Sequence, residues 1–296
     1  MDTHLWDAHS SINNRYRKIL ARFKTEERRK HVVEKRKWEQ RYVDFLKTSQ
    51  YFYKGYIQRL ASHFDGLAEL RKIAHRLNLN TLSADDLVKV SEETKHLILL
   101  SCHATLLRLG DLSRYRNDIR TKDRSWDTAM SYYGLANDLY PKSGNAFNQM
   151  AVISLAEGQH LNAIYHLYRA LAIDEPHPAA ESNLEIEFKK ITKEWASGSR
   201  RSVPKGTNPG GGAAGPLISW FVRLHAKLYK GEEFSGHDEL ENEVLSQMTV
   251  LLKEQPLEAI LDKMVLINIA AEYFAAERLQ SKCRSFTFSL LLIILI

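Results

Sequence analysis

The sequence predicts an all-α helical array, and three observations carry that prediction. Apolar residues recur at steps of three and four, small residues recur with a 34-residue period, and glycine and proline cluster in Ser197 to Pro216. A helical face, a helical repeat and a single break in composition are what those patterns specify.

The first third reads as helix from Leu5 through the charged run Arg15 to Lys47, with no proline or glycine to interrupt it. Tyr42, Phe45, Ser49, Phe52, Tyr56, Ile57, Leu60 and Phe64 form one stripe. That stripe is expected to pack on the helix carrying Leu97, Leu100, Ser101, Ala104 and Leu107, which is apolar nearly all round and therefore central. Between them, Asn78 to Ser83 has turn character, and Ser83 with Asp85 and Asp86 reads as a helix start.

Next comes the repeat. Ala129 recurs as Ala163 and Ala136 as Ala170, a period of 34 residues, which is the tetratricopeptide spacing. The segments Trp126–Pro141 and Leu161–Pro176 share small residues at equivalent turns and a closing proline. Asn148, Ala151 and Gly158 fall where the first helix and its tight turn need a small or polar residue. Such periodicity is a packing requirement and names no ligand.

Just before the repeat, LGDLSRYRN (Leu109 to Asn117) sets Arg114, Tyr115 and Arg116 at the end of an otherwise apolar helix. A guanidinium forms a planar fork to phosphate and a tyrosine hydroxyl adds a donor, so the trio reads as an anion-binding constellation. The same residues also fit a plain intrahelical pair of Asp111 with Arg114, with Tyr115 in the core.

A net charge of +6 and a pI near 9.1 favour an acidic partner such as nucleic acid, anionic lipid or a phosphorylated protein. Lys30, Lys35, Arg36, Lys37 and Arg41 would carry a nucleic-acid contact, although Glu26, Glu27, Glu34 and Glu39 are interleaved as on a solvated helix face. There is no P-loop, no G-x-S-x-G, no H-E-x-x-H and no cluster of paired cysteines, so the expectation is a protein that is not an enzyme. Neither a cofactor nor a metal site is expected: Cys102 reads as a buried small hydrophobe, and His160 with His166 lacks the one-turn spacing of a ligand pair.

The glycine, proline and serine of residues 197–216 cannot bury a core and read as a flexible linker. No secretory or transit segment opens the chain, because Trp6, Asp7 and the following polar residues break any apolar run. At the other end Phe286 to Ile296 is an apolar run of 11 residues, when a bilayer span needs about 20. No membrane association is expected.

The order of LW near the start, FLKTSQYFYKGYIQRL, CHATLLRLGDLSRYRN, SYYGLANDLYP, FNQMAVISLAEGQHLNAIYHLYRALA and PHPAAESNL resembles the ever-shorter-telomeres and nonsense-mediated mRNA decay adaptor family, of the Est-one and Smg-seven kind, with a fungal character. The resemblance implies a 14-3-3-like helical domain at 1–196 holding two tetratricopeptide-like repeats at about 123–176, then the 197–216 linker. After it come the start of a helical-hairpin DNA/RNA-binding domain at 217–282, expected to be truncated because family members continue with more hairpins, and an atypical apolar tail at 283–296. It assigns a phosphoserine pocket to Arg114 and Tyr115, with Arg116 beside them and Asn148 on the peptide backbone. A lysine expected shortly after Trp6 is absent, and Arg15 and Lys18 are its substitutes.

The implied function is a non-enzymatic, phosphoserine-dependent adaptor in mRNA decay that binds a phosphorylated helicase, in the nucleus and cytoplasm, alone or dimerised with a related adaptor. The alternative is a telomerase-associated or general binder of RNA or telomeric DNA, acting through the basic N-terminal helices.

Overall fold

The computed structural model describes residues 3–23, 31–83, 87–119, 124–197, 214–229, 236–254 and 258–279. Every regular element there is helical: α1 (Thr3–Arg22), α2 (Val32–His63), α3 (Ala68–Arg76), α4 (Glu92–Ile119), α5 (Asp127–Leu139), α6 (Asn145–Ala156), α7 (His160–Leu171), α8 (Ala180–Ala196), α9 (Gly215–Leu228), α10 (His237–Glu254) and α11 (Glu258–Leu279). The chain is all-α, as the apolar spacing requires. It forms two compact units, Met1–Pro141 and Lys142–Ile296.

In the first unit α4 packs against both α2 and α5, the central place its apolar composition predicted. Cys102, Leu106 and Leu109 are fully buried on it, and burial pushes the Cys102 thiol up to about 12, so it acts as a small hydrophobe. The facing stripe of α2 keeps Tyr42, Ser49 and Ile57 of the expected one and departs from it at Phe52. Tyr42, Leu46, Ser49, Tyr53 and Ile57 are buried, whereas Phe52 is 51% exposed. Leu97 on α4, expected at this interface, is 59% exposed. In a run of adjacent aromatics such as Tyr51, Phe52 and Tyr53, spacing alone leaves the phase open, and polar tethers settle it. Tyr53 meets His9 of α1 at 3.2 Å, and the Tyr56 hydroxyl meets Ser101 of α4 at 2.8 Å.

The charged first third is two helices, α1 and α2, that pack on each other. Trp6, His9 and Tyr16 of α1 lie against aromatic residues of α2, with Tyr16 stacked on Tyr42 at 5.0 Å. The helix start read at Ser83 is displaced. Asp85 and Asp86 lie outside the described residues, Val88 pairs with Phe64 in an isolated bridge, and α4 begins at Glu92. Ser91 caps it, its Oγ accepting from the Thr94 amide at 3.2 Å.

The second unit begins with α6 and α7, joined by three residues that include Gly158 at φ +67°, a left-handed turn conformation. Ala163 and Ala170 are fully buried here, as are Ala129 (2% exposed) and Ala136 in the first unit. Equivalent small residues therefore mark equivalent close helix approaches. His160 pairs with the buried Glu187 of α8, and α8 packs in turn on α9. That last contact joins Trp195 to Trp220 at 5.2 Å and sets Arg223 over the Trp195 ring at 4.3 Å. Residues 198–213, read as linker, lie outside the described residues; the helices that flank them pack on one another. Composition says that such a segment cannot form core, but a long connection can still return the chain to the same core at little added entropy. The division between units falls earlier, between α5 and α6.

Candidate binding sites on the helical scaffold

The LGDLSRYRN motif builds a three-residue lock between α4 and α5. Arg114 Nη2 lies 2.9 Å from Asp111 Oδ1, and the Tyr133 hydroxyl of α5 donates to the same oxygen at 2.8 Å. Gly110 makes this possible: a Cβ there would stand 2.3 Å from Tyr133 Cε1, so only glycine admits the ring. The side chains of Arg114 and Asp111 are 19% and 14% exposed. Burial pulls the Arg114 guanidinium down, but Tyr133 and Asp111 more than reverse it, so its pKa stands above the ordinary arginine value. Burial likewise raises Tyr133 well above a normal phenol, with Asp111 adding to it.

The intrahelical pair of Asp111 with Arg114 is thus present. Tyr115 is half-buried, with Arg114 over its ring at 5.0 Å and Arg17 of α1 over it at 5.8 Å. Arg116 reaches Gln50 of α2 at 3.4 Å. Arg17, which the sequence reading passed over in favour of its neighbours Arg15 and Lys18, is the α1 cation that meets the RYR motif. Arg15 and Lys18, the expected substitutes, line a separate open depression of about 510 Å³ with Asp7, Ser10, Ser11 and Asn14. Helical phase was the available signal. The inward stripe of α1 runs Trp6, His9, Asn13 and Tyr16, which leaves Arg17 at its edge and turns Arg15 and Lys18 outward.

Asn148 belongs to the second unit, where it is 4% exposed and accepts a hydrogen bond from Asn183 Nδ2 at 3.0 Å. On α2, Arg36, Lys37 and Arg41 are exposed, and Lys35 is half-exposed and paired with Glu39 at 3.4 Å. Arg41 lies over the Trp38 ring at 5.3 Å. Lys30 lies outside the described residues. The first 50 residues hold 13 of the 42 Lys and Arg but seven of the 36 Asp and Glu, a surplus that equals the whole chain's +6. Among the described residues no group of three His, Cys, Asp or Glu could hold a metal ion, and no helix is long and apolar enough to cross a membrane.

An array of paired helices with basic faces defines the class: an all-helical scaffold. A family model described as the Est1 DNA/RNA binding domain matches residues 129–295, and one described as telomerase activating protein Est1 matches residues 1–120. The chain therefore belongs to the Est1/Smg5/Smg7-like family. The first of these models begins within α5, ahead of residue 217, where the resemblance alone set the second domain.

The chain is 31% identical over 188 residues to the nonsense-mediated mRNA decay factor SMG7-like of Arabidopsis thaliana, a match covering 63% of this chain and 18% of that protein. It is 30% identical over 179 residues to the telomere elongation protein est1 of Schizosaccharomyces pombe, covering 56% and 36%. Both matches span well under two thirds of the relative's own length. A crystal structure of Est1 and Cdc13 has the same fold, with a TM-score of 0.70 over 97% of this chain and 58% of that one at 14% identity.

Proposed function

We propose that this chain is a non-enzymatic adaptor that associates with single-stranded RNA or telomeric DNA and carries protein partners on its helical array. The observation that carries the reading is where charge is available. Arg114 is held by Asp111 inside the α4–α5 packing, while Arg36, Lys37 and Arg41 are exposed on the helix that bears much of the chain's surplus charge. The description of the family model over 129–295 points the same way. The helical hairpins, read as tetratricopeptide-like, supply surfaces for protein docking, and a nuclear and cytoplasmic location belongs to the same proposal.

The test is the affinity of the full chain for single-stranded RNA and telomeric-repeat DNA across a salt series, beside a Lys37→Glu/Arg41→Glu variant. Binding that weakens steeply with salt and drops in the variant supports the reading. Absence of binding to either strand overturns it.

A second reading, a phosphoserine-dependent adaptor in nonsense-mediated decay that binds a phosphorylated helicase, rests on a separate observation: two guanidinium groups, Arg17 and Arg114, meet at Tyr115. In this reading Arg17 supplies the cation that α1 was expected to contribute, and a phosphate dianion competes with Asp111 for Arg114. A phosphoserine peptide that binds no better than its unphosphorylated twin, or equally well to Arg17→Glu, excludes this reading.

A further inference from the structure

The second unit contains a cluster of cations that none of the sequence motifs announces. Lys263 of α11 and Arg169 of α7 both act on His166 of α7. Lys263 Nζ donates to the neutral amide oxygen of Asn162 at 2.7 Å and lies over the Tyr165 ring at 6.0 Å. Arg169 lies over the Phe147 ring of α6 at 4.8 Å, and the same ring stacks on His166 at 6.3 Å. Asn162, His166 and Arg169 follow one another at steps of four and three, so they share one face of α7 over about 10 Å of its axis.

No carboxylate answers this charge among the described residues. Lys263 is lowered by burial alone, and burial with Lys263 and Arg169 pushes His166 down to about 4. From Lys142 to Leu171 the chain holds one acid, Glu157 in the turn between α6 and α7. Partly desolvated cations without a counter-charge are costly to keep. Arrays of this kind focus field lines toward an incoming anion.

We infer that the face of α7 between α6 and α11 is a phosphodiester-binding site for single-stranded nucleic acid, with Lys263 and Arg169 holding backbone phosphates and Tyr165 offering a ring on which a base stacks. This rests on the nucleic-acid reading above and gives it a site separate from α2. Two cations from adjacent helices, Arg169 of α7 and Lys263 of α11, each beside an aromatic ring, suit a strand that presents phosphates and bases in alternation.

The experiment measures anisotropy of labelled single-stranded RNA and DNA with the full chain, Lys263→Glu, Arg169→Gln, the charge-keeping Lys263→Arg, and the α2 variant Lys37→Glu/Arg41→Glu. Thermal melts confirm that each variant folds. Lys263→Glu and Arg169→Gln are expected to weaken binding about tenfold and to flatten the salt slope by about 0.7 per lost contact, while Lys263→Arg retains binding. The His166 ring provides a second readout by NMR, since bound phosphate offsets the two cations and its pKa climbs from about 4.

Loss of affinity in the α2 variant, with Lys263→Glu and Arg169→Gln within twofold of wild type and the His166 ring unmoved, overturns the site and leaves the nucleic-acid reading standing. Wild-type protein that binds neither strand overturns both. An acidic or phosphorylated peptide that binds in place of the strands and is lost in Lys263→Glu assigns the cluster to a protein partner and also overturns the site.

Discussion

Arg114 in the first unit and Lys263 in the second are both half-buried cations near aromatic rings, yet opposite surroundings hold them. Arg114 sits against Asp111, which also takes the Tyr133 hydroxyl, so its charge is matched and its geometry belongs to the joint between α4 and α5. Lys263 has an amide oxygen and a ring face, and its charge is left over. The conspicuous motif therefore contributes strongly to the fold, whereas an inconspicuous lysine has unspent charge to offer a ligand. Proximity to a motif is a weaker guide to binding than the balance of charge around each group.

The largest test of the contrast is Gly110→Ala. Its Cβ would meet the buried Tyr133 ring at 2.3 Å, and we expect a loss on the order of 3 kcal/mol or more in urea unfolding. A loss below about 1 kcal/mol would show that the lock is loose.

Acid should act on the second unit by a comparable amount. Burial lowers His225 from 6.5 to about 4, and burial together with Lys263 and Arg169 lowers His166 to about 4. Both folded-state values lie below the unfolded one, so the unfolded chain binds more protons between them. This contribution is intact above pH 6.5 and is lost as pH falls toward 4, by up to about 3 kcal/mol for the fully buried His225. His225→Gln should flatten that part of the pH profile; an unchanged profile would refute the assignment.

The two cations themselves should respond with opposite sign. Arg114→Met leaves Asp111 without its cation in a partly buried place and should destabilise by about 2 kcal/mol. Lys263→Met removes a desolvated charge that lacks a carboxylate among the described residues, so it should be neutral or slightly stabilising, by roughly 0.5 kcal/mol. It should also let the His166 pKa rise, which ring NMR reads directly. Equal losses in the two variants would erase the distinction. Tyr133→Phe, which deletes one hydrogen bond and keeps the ring, should cost about 1 kcal/mol, less than the loss of Arg114.

Much of the architecture was legible in the sequence. The 34-residue recurrence of Ala129 and Ala136 as Ala163 and Ala170 marks four buried positions, and α4 read as central because its middle is apolar nearly all round. The errors came where spacing admits two phases. Phe52 and Tyr53 are adjacent aromatics, and the tether from Tyr53 to His9 selects the second for the core. Arg15, Arg17 and Lys18 are near neighbours in sequence; helical phase sets Arg17 beside the Trp6–Tyr16 stripe, and the structure brings it over Tyr115.

By itself, the sequence determined the helical class, the small residues at the repeated approaches and the excess of positive charge. Each of these is a property of local spacing or of composition, which neighbours three or four residues away already specify. Tertiary structure decided which charges are answered or left over between helices. Asp111, Arg114 and Tyr133 come together from two helices, and Asn162, Arg169 and Lys263 from two others, with Lys263 101 residues beyond Asn162. The field at a side chain depends on every group within reach in space, and sequence separation does not limit that reach.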